Sequence, residues 1–207
     1  MSFDITQDQI KLGAKELRTT EGDEDIKKNL KKNPVYIIVD NVLDTYNTGS
    51  IFRLADAVAA TKVYLCGVTE TPPNTRIKKA SINTTEWVEW SYFPTTLEAI
   101  QDLRQQFPRH SELVSESQET GSPIRSGMTK SGIQIVAVEQ SDKSVPFEKA
   151  EYQFPLALIV SNESTGATQE VLDAADMIVE IPMWGVNKSL NVMVSLAIVL
   201  FQAMQKI

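Results

Sequence analysis

A series of short apolar runs, each bounded by polar residues, limits what this chain can fold into. Val35-Tyr36-Ile37-Ile38-Val39 shows no polar alternation, so a strand built on it is buried on both faces. Lys62-Val63-Tyr64-Leu65-Cys66, Ile133 to Val138, Leu156 to Val160 and Met177 to Ile181 read the same way. Trp87-Val88-Glu89-Trp90 reads as a shorter, partly exposed strand. Between the runs lie segments of helical period. Ser50 to Ala60 carries Ile51, Leu54, Ala55 and Val58 on one side, and Leu97 to Gln106 and Gln169 to Ala175 follow. A long apolar helix from about Leu190 to Gln205 closes the chain. Strands alternating with helices predict an α/β domain with a mostly parallel sheet and helices on both faces.

With 207 residues, 42% of them hydrophobic, the chain suits one compact domain. We expect that domain over 34–207, preceded by an N-terminal helical extension over 1–33. Residues 107–129 are polar and hold no sustained period, and they separate a helix from a strand normally joined by a few residues. They read as a flexible inserted surface loop, with the only histidine, His110, as a bystander in it. A net charge of −7 argues against attraction of nucleic acid to the whole surface, because such affinity comes from Lys and Arg. A local basic patch fits that limit: Arg76, Lys78 and Lys79 follow a Pro-containing loop. The single cysteine, Cys66, reads as a buried strand-end thiol and rules out an internal disulfide. Met1-Ser2-Phe3-Asp4 has neither the basic region nor the apolar core of a secretory signal. The expectation is a cytoplasmic protein with no membrane span and no metal site.

In an open α/β sheet, ligands bind where strands end, and polar signals cluster there. Asn41 to Arg53 follows the first strand. Asp44 reads as a cap or Asx-turn residue, and Asn47 and Gly49 as turn residues. Arg53 is either a surface arginine paired with a carboxylate or a phosphate grip, which its fork geometry suits. Ser161-Asn162-Glu163-Ser164-Thr165-Gly166 follows a later strand and aims Glu163 toward a crevice. Ile181-Pro182-Met183-Trp184-Gly185 follows the last one. Ser189 and Asn191 stand just before the apolar helix, and Ser189 reads also as its cap. The two converge only if that stretch is not yet regular helix.

These three segments carry a resemblance. Asn41-Val42-x-Asp44-x-x-Asn47-x-Gly49-x-Ile51-x-Arg53-x-Ala55-Asp56-Ala57, Asn162-Glu163-x-x-Gly166 and Ile181-Pro182-Met183-x-Gly185-x-x-x-Ser189-Leu190-Asn191-Val192 are similar, in this order, to the motifs of the SpoU (TrmH) branch of the SPOUT RNA methyltransferases. The resemblance implies transfer of methyl from S-adenosylmethionine to a ribose 2′-hydroxyl of structured RNA. Transfer RNA is preferred over ribosomal RNA, because no RNA-binding extension is evident. It also implies a homodimer and a C-terminal deep trefoil knot that forms the cofactor pocket. A catalytically inactive RNA-binding or dimeric scaffold of the same fold is the alternative.

Carried over by position, Arg53 matches the catalytic arginine, which also engages RNA phosphate. Asn47, Glu163, Ser189 and Asn191 match the residues around it. Ser161, Asn162, Gly166, Ile181, Met183, Gly185, Ser189 and Leu190 match the walls of the cofactor pocket. Arg76, Lys78 and Lys79 are the added RNA-binding candidates. The chain has Ser161, Ala59 and Asn83 where the family commonly has glycine, and a β-carbon at Ser161 is expected to narrow the pocket.

Overall fold

The computed structural model describes residues 21, 23–108 and 132–207. Most of the expected insertion at 107–129, with His110, and most of the expected extension at 1–33 lie outside the described residues. In chain order the elements are α1 (Glu24–Asn29), β1 (Asn33–Asp40), α2 (Thr45–Ala57), β2 (Ala60–Cys66) and α3 (Thr75–Ser81). A 3-10 turn (Thr84–Glu86), β3 (Trp90–Phe93), α4 (Thr96–Gln106), β4 (Gln134–Val138) and β5 (Val145–Pro146) follow. The last are β6 (Leu156–Ser161), α5 (Gln169–Ala174), β7 (Met177–Glu180) and α6 (Val192–Met204).

The seven strands form one sheet in the order β3-β2-β1-β6-β4-β7-β5, and every pairing within it is parallel. The unbroken apolar runs follow from that arrangement, since a parallel sheet is covered on both faces. Alternate residues serve different cores. Val35, Ile37 and Val39 of β1 join Val63, Leu158 and Val160 under α2 and α6. Tyr36 and Ile38 face the other way with Tyr64, Ile135 and Ile159, under α4 and α5. Order reverses at β1, which has β2 on one side and β6 on the other. The crevice at the carboxyl ends of the strands there is the expected ligand position. Among the described residues, no helix is long and apolar enough to cross a membrane.

Three local readings are corrected. Asp44 caps α2 by accepting from the Tyr46 N–H at 2.8 Å, so the helix starts at Thr45 and Gly49 lies inside it rather than in a turn. The glycine is there for packing: a β-carbon would come within 2.6 Å of Ala80 Cβ and 2.7 Å of the Ile77 carbonyl oxygen on α3. Gly49→Ala is expected to destabilise the fold by about 1–3 kcal/mol, as overpacking against backbone does, measurable by chemical denaturation. The strand expected over Trp87–Trp90 begins at Trp90, because the 3-10 turn ends against Trp87. The closing helix starts at Val192 rather than Leu190, because Asn191, not Ser189, caps it, accepting from Met193 and Val194 N–H.

Ala59 and Asn83, both noted as replacing glycine, have φ of +48° and +65°. Both turns keep the left-handed backbone that glycine adopts without cost. Cys66 is fully buried, and burial pushes its thiol up to about 12.

Candidate functional site

β1 ends at the buried Asp40, whose carboxylate accepts from Thr96 Oγ1 at 2.5 Å and Asn41 Nδ2 at 2.8 Å. Asn41 then turns the chain with φ +54°. Its side-chain oxygen accepts from the Val68 N–H at 3.1 Å, and its carbonyl from Asn162 Nδ2 at 2.9 Å. One residue thus ties the end of β1 to the loops after β2 and β6. Asn162 shapes its own loop as well, accepting from the Ser164 and Thr165 N–H groups at 2.8 and 3.0 Å.

Glu163 reaches from that loop to the start of α2. Its carboxylate accepts from the N–H groups of Leu43 at 3.1 Å and Asp44 at 3.3 Å, and from Asn47 Nδ2 at 2.9 Å. Asn47 Oδ1 in turn accepts from Asn191 Nδ2 at 2.9 Å. A single hydrogen-bonded chain, Glu163–Asn47–Asn191, therefore links the three sequence segments across separations of 116 and 144 residues. Burial works to raise the Glu163 carboxyl. The Asn47 amide and the Leu43 and Asp44 N–H groups outweigh it and hold the group below its ordinary value.

Beside this chain opens a cavity of about 460 Å³ between the ends of β6, β4 and β7 and the segment leading into α6. Ser161, Asn162, Glu163 and Gly166 line it from the β6 side. Ile181, Met183, Ser189 and Leu190 line it from the other side. Gly185 does not: a β-carbon there would meet nothing within 4 Å, and its carbonyl accepts from Lys188 Nζ at 2.9 Å. Ser161 is only 8% exposed and stands in the wall without closing the cavity. Ser189 stays apart from the asparagine chain and donates to Asn187 Oδ1 at 3.3 Å. Sequence reasoning missed Val138, Glu139, Gln140, Glu180, Lys188 and Ser195 in the lining. Glu139 and Glu180 sit at strand ends, so the strand-end rule applied to Ile133–Val138 and Met177–Ile181 was the signal that could have found them.

Arg53 is not brought to this cavity. It is exposed on α2 and lines a second cavity of about 840 Å³ with Lys27, Lys32, Asp56 and Trp87. It has no ion pair among the described residues. Asp56 is engaged by Trp87 Nε1 at 2.7 Å. Arg76, Lys78 and Lys79 lie exposed on α3 and line neither cavity, although Ser81 at the end of α3 lines the second, and Lys78 pairs with Glu86 at 2.9 Å.

The model of the SpoU rRNA Methylase family matches residues 34–124 and 118–201. The chain belongs to the SpoU rRNA Methylase family. It is 28% identical over 173 residues to a tRNA (guanosine(18)-2′-O)-methyltransferase of Escherichia coli strain K12, covering 82% of this chain and 62% of that protein. Over 179 residues it is 28% identical to the enzyme of the same name from Aquifex aeolicus, covering 85% and 71%. The chain thus spans about three fifths of the length of the E. coli relative. Among solved structures, an A. aeolicus TrmH/SpoU tRNA modifying enzyme superposes with a TM-score of 0.68 at 25% identity, covering 88% of this chain and 83% of that one. An AdoMet-bound rRNA methyltransferase from Sinorhizobium meliloti gives the same TM-score at 24% identity, covering 85% and 57%. That likeness confirms the SpoU-family fold.

Proposed function

We propose that this SpoU-family chain transfers methyl from S-adenosylmethionine to a ribose 2′-hydroxyl of structured RNA, with transfer RNA as the preferred substrate. The observation that carries the reading is the Glu163–Asn47–Asn191 chain at the rim of the 460 Å³ cavity. The second and third motifs line one ligand-sized pocket, and the hydrogen-bonded chain ties the first motif to them. A volume of this order suits a nucleoside-sized ligand. The donor set fits too: Val160, Ile181 and Leu190 offer apolar contact for a base, and strand-end backbone and Ser161 offer hydrogen bonds. Ser161, Asn162, Gly166, Ile181, Met183, Ser189 and Leu190 would hold the cofactor, and Gly185 would shape the loop from outside.

The cofactor, when bound, supplies an electrophilic methyl group on a sulfonium. A ribose hydroxyl is a poor nucleophile, so the protein must align it and stabilise its charge as the proton leaves. Glu163 is not placed as a base, since its carboxylate already serves three N–H donors. Its part is to fix the N-terminus of α2, with Asn47 and Asn191. Arg53 carries the charge. A guanidinium is far too weak an acid to cycle as a base at neutral pH, so it grips a phosphate and stabilises the developing alkoxide. Arg76 and Lys79 extend the RNA contact along α3. Within one protomer Arg53 lines a different cavity from the cofactor pocket, so the role requires a second copy of the chain to bring its Arg53 to the reacting oxygen.

The homodimer is part of the proposal and has its own support. α6 is apolar apart from Ser195 and Gln202, yet Val194 and Phe201 are 37% and 50% exposed, and a helix that apolar is normally covered on most of its surface. Phe201→Asp is expected to shift the protein from dimer to monomer in size-exclusion chromatography with light scattering. The trefoil knot is likewise inferred. Its support is that the segment between β7 and α6 touches the β4 end on one side, through Gln140 Nε2 donating to the Lys188 carbonyl, and α2 on the other, through Asn191. We take 34–207 as the methyltransferase domain, 1–33 as its helical extension and 107–129 as an insertion. Cytoplasmic location is supported by the single, buried thiol. Mapping 2′-O-methyl sites in total RNA with and without the protein tests the reading. A site that depends on the protein names the RNA, and an unchanged map in cells that express it counts against the proposal.

A further inference from the structure

Glu139 and Glu180 stand at the ends of neighbouring parallel strands. Val138 is in register with Val179, and the Glu139 N–H donates to the Val179 carbonyl at 3.0 Å. Both residues line the cofactor pocket. Neither is in an ion pair among the described residues. The cation of the lining, Lys188, is turned to the carbonyls of Met183 at 3.3 Å and Gly185 at 2.9 Å. Glu163 is committed to α2, and Glu180 accepts from Ser144 Oγ at 2.9 Å on the β5 side.

Glu139 points the other way, into the loop after β6. Its oxygens accept from the Gln140 N–H at 2.9 Å and the Ala167 N–H at 3.1 Å. Gly166 makes room for it: with φ +66°, a β-carbon there would come within 2.7 Å of Glu139 Oε2. Each carboxylate oxygen keeps a free acceptor site after one hydrogen bond. The carboxylate is therefore fixed in place at the pocket wall, its negative charge not neutralised by a neighbouring side chain.

We propose that Glu139 makes the pocket selective for the cationic methyl donor over the neutral thioether that remains after transfer. The inference rests on the methyl-transfer reading. Donor and product share the adenosine, the ammonium and the carboxylate, and they differ in one methyl group and one positive charge on sulfur. A fixed carboxylate in a partly enclosed pocket favours the charged form, whereas adenosine contacts hold both equally.

The test is calorimetric binding of S-adenosylmethionine, S-adenosylhomocysteine and sinefungin to the full chain and to Glu139→Gln. Glutamine keeps the size and one acceptor for Ala167, and removes the charge. The unsubstituted protein is expected to favour the donor over the thioether by about tenfold. Sinefungin, which carries an amine in place of the methylated sulfur, follows the donor. In Glu139→Gln the preference narrows to within about threefold, through weaker binding of the two cationic ligands. An unchanged preference in the variant overturns the inference and leaves the methyl-transfer reading standing. So does tighter binding of the thioether by the unsubstituted protein, a result that needs no variant. Absence of binding of all three ligands to the unsubstituted protein overturns the methyl-transfer reading itself.

Discussion

Arg53→Ala lowers kcat/KM for RNA methylation by about a hundred- to a thousandfold, the loss that follows removal of one group that stabilises developing charge. The dissociation constant for S-adenosylmethionine stays within about twofold of its original value. The split follows from position: Arg53 lines the cavity bounded by α1 and Trp87 and is not among the residues lining the 460 Å³ cavity proposed for the cofactor. Arg53→Lys recovers little of the lost activity, because a point charge does not reproduce the planar fork that holds a phosphate. Steady-state kinetics on RNA, paired with donor binding measured by calorimetry, checks both halves. Equal losses of turnover and donor affinity would place Arg53 in the wrong role.

Glu163→Ala acts on the other side of that split. It leaves the Leu43 and Asp44 N–H groups and the Asn47 amide without their acceptor, and frees the loop after β6 from α2. Donor affinity falls about tenfold, equivalent to roughly 1.4 kcal/mol. The figure is below the full value of hydrogen bonds to a charged group, since the carboxylate is reached by solvent. The same residue sets an acid limb. Its carboxyl is held below the ordinary value of 4.5 in the folded protein, so its contribution is fully present above that pH. It is lost as pH falls from there through the lowered value. Glu163→Gln removes this limb, and donor binding measured from pH 6 down to pH 3.5 shows it. A limb of the same shape in Glu163→Gln would assign it to another group.

The sheet was legible because burial on both faces leaves no polar alternation, so Val35–Val39 and Leu156–Val160 announce themselves as central strands. The three-segment site was legible for a related reason: each polar cluster begins where such a run stops. What the residues alone did not resolve was which of a small residue's several uses applies. Gly49 reads as a turn from its conformational freedom, but its missing β-carbon serves the approach of α3. Asn191 and Ser189 are both good caps, and the choice of Asn191 is made by Asn47, 144 residues away. The face presented by Arg53 depends on where α2 begins, and that was read five residues late. Glu139 carries no motif of its own, and its place in the pocket wall comes from the loop after β6, where the Ala167 N–H and the space left by Gly166 hold its carboxylate.

The central claim is methyl transfer to a ribose oxygen, and the product of the reaction tests it most directly. The purified protein is incubated with methyl-labelled S-adenosylmethionine and unmodified transfer RNA, and the RNA is digested to nucleosides for mass spectrometry. The account predicts label in a 2′-O-methylnucleoside, with the added mass on the ribose fragment. Label confined to a base fragment, or no label from a protein shown to bind both donor and RNA, would contradict it.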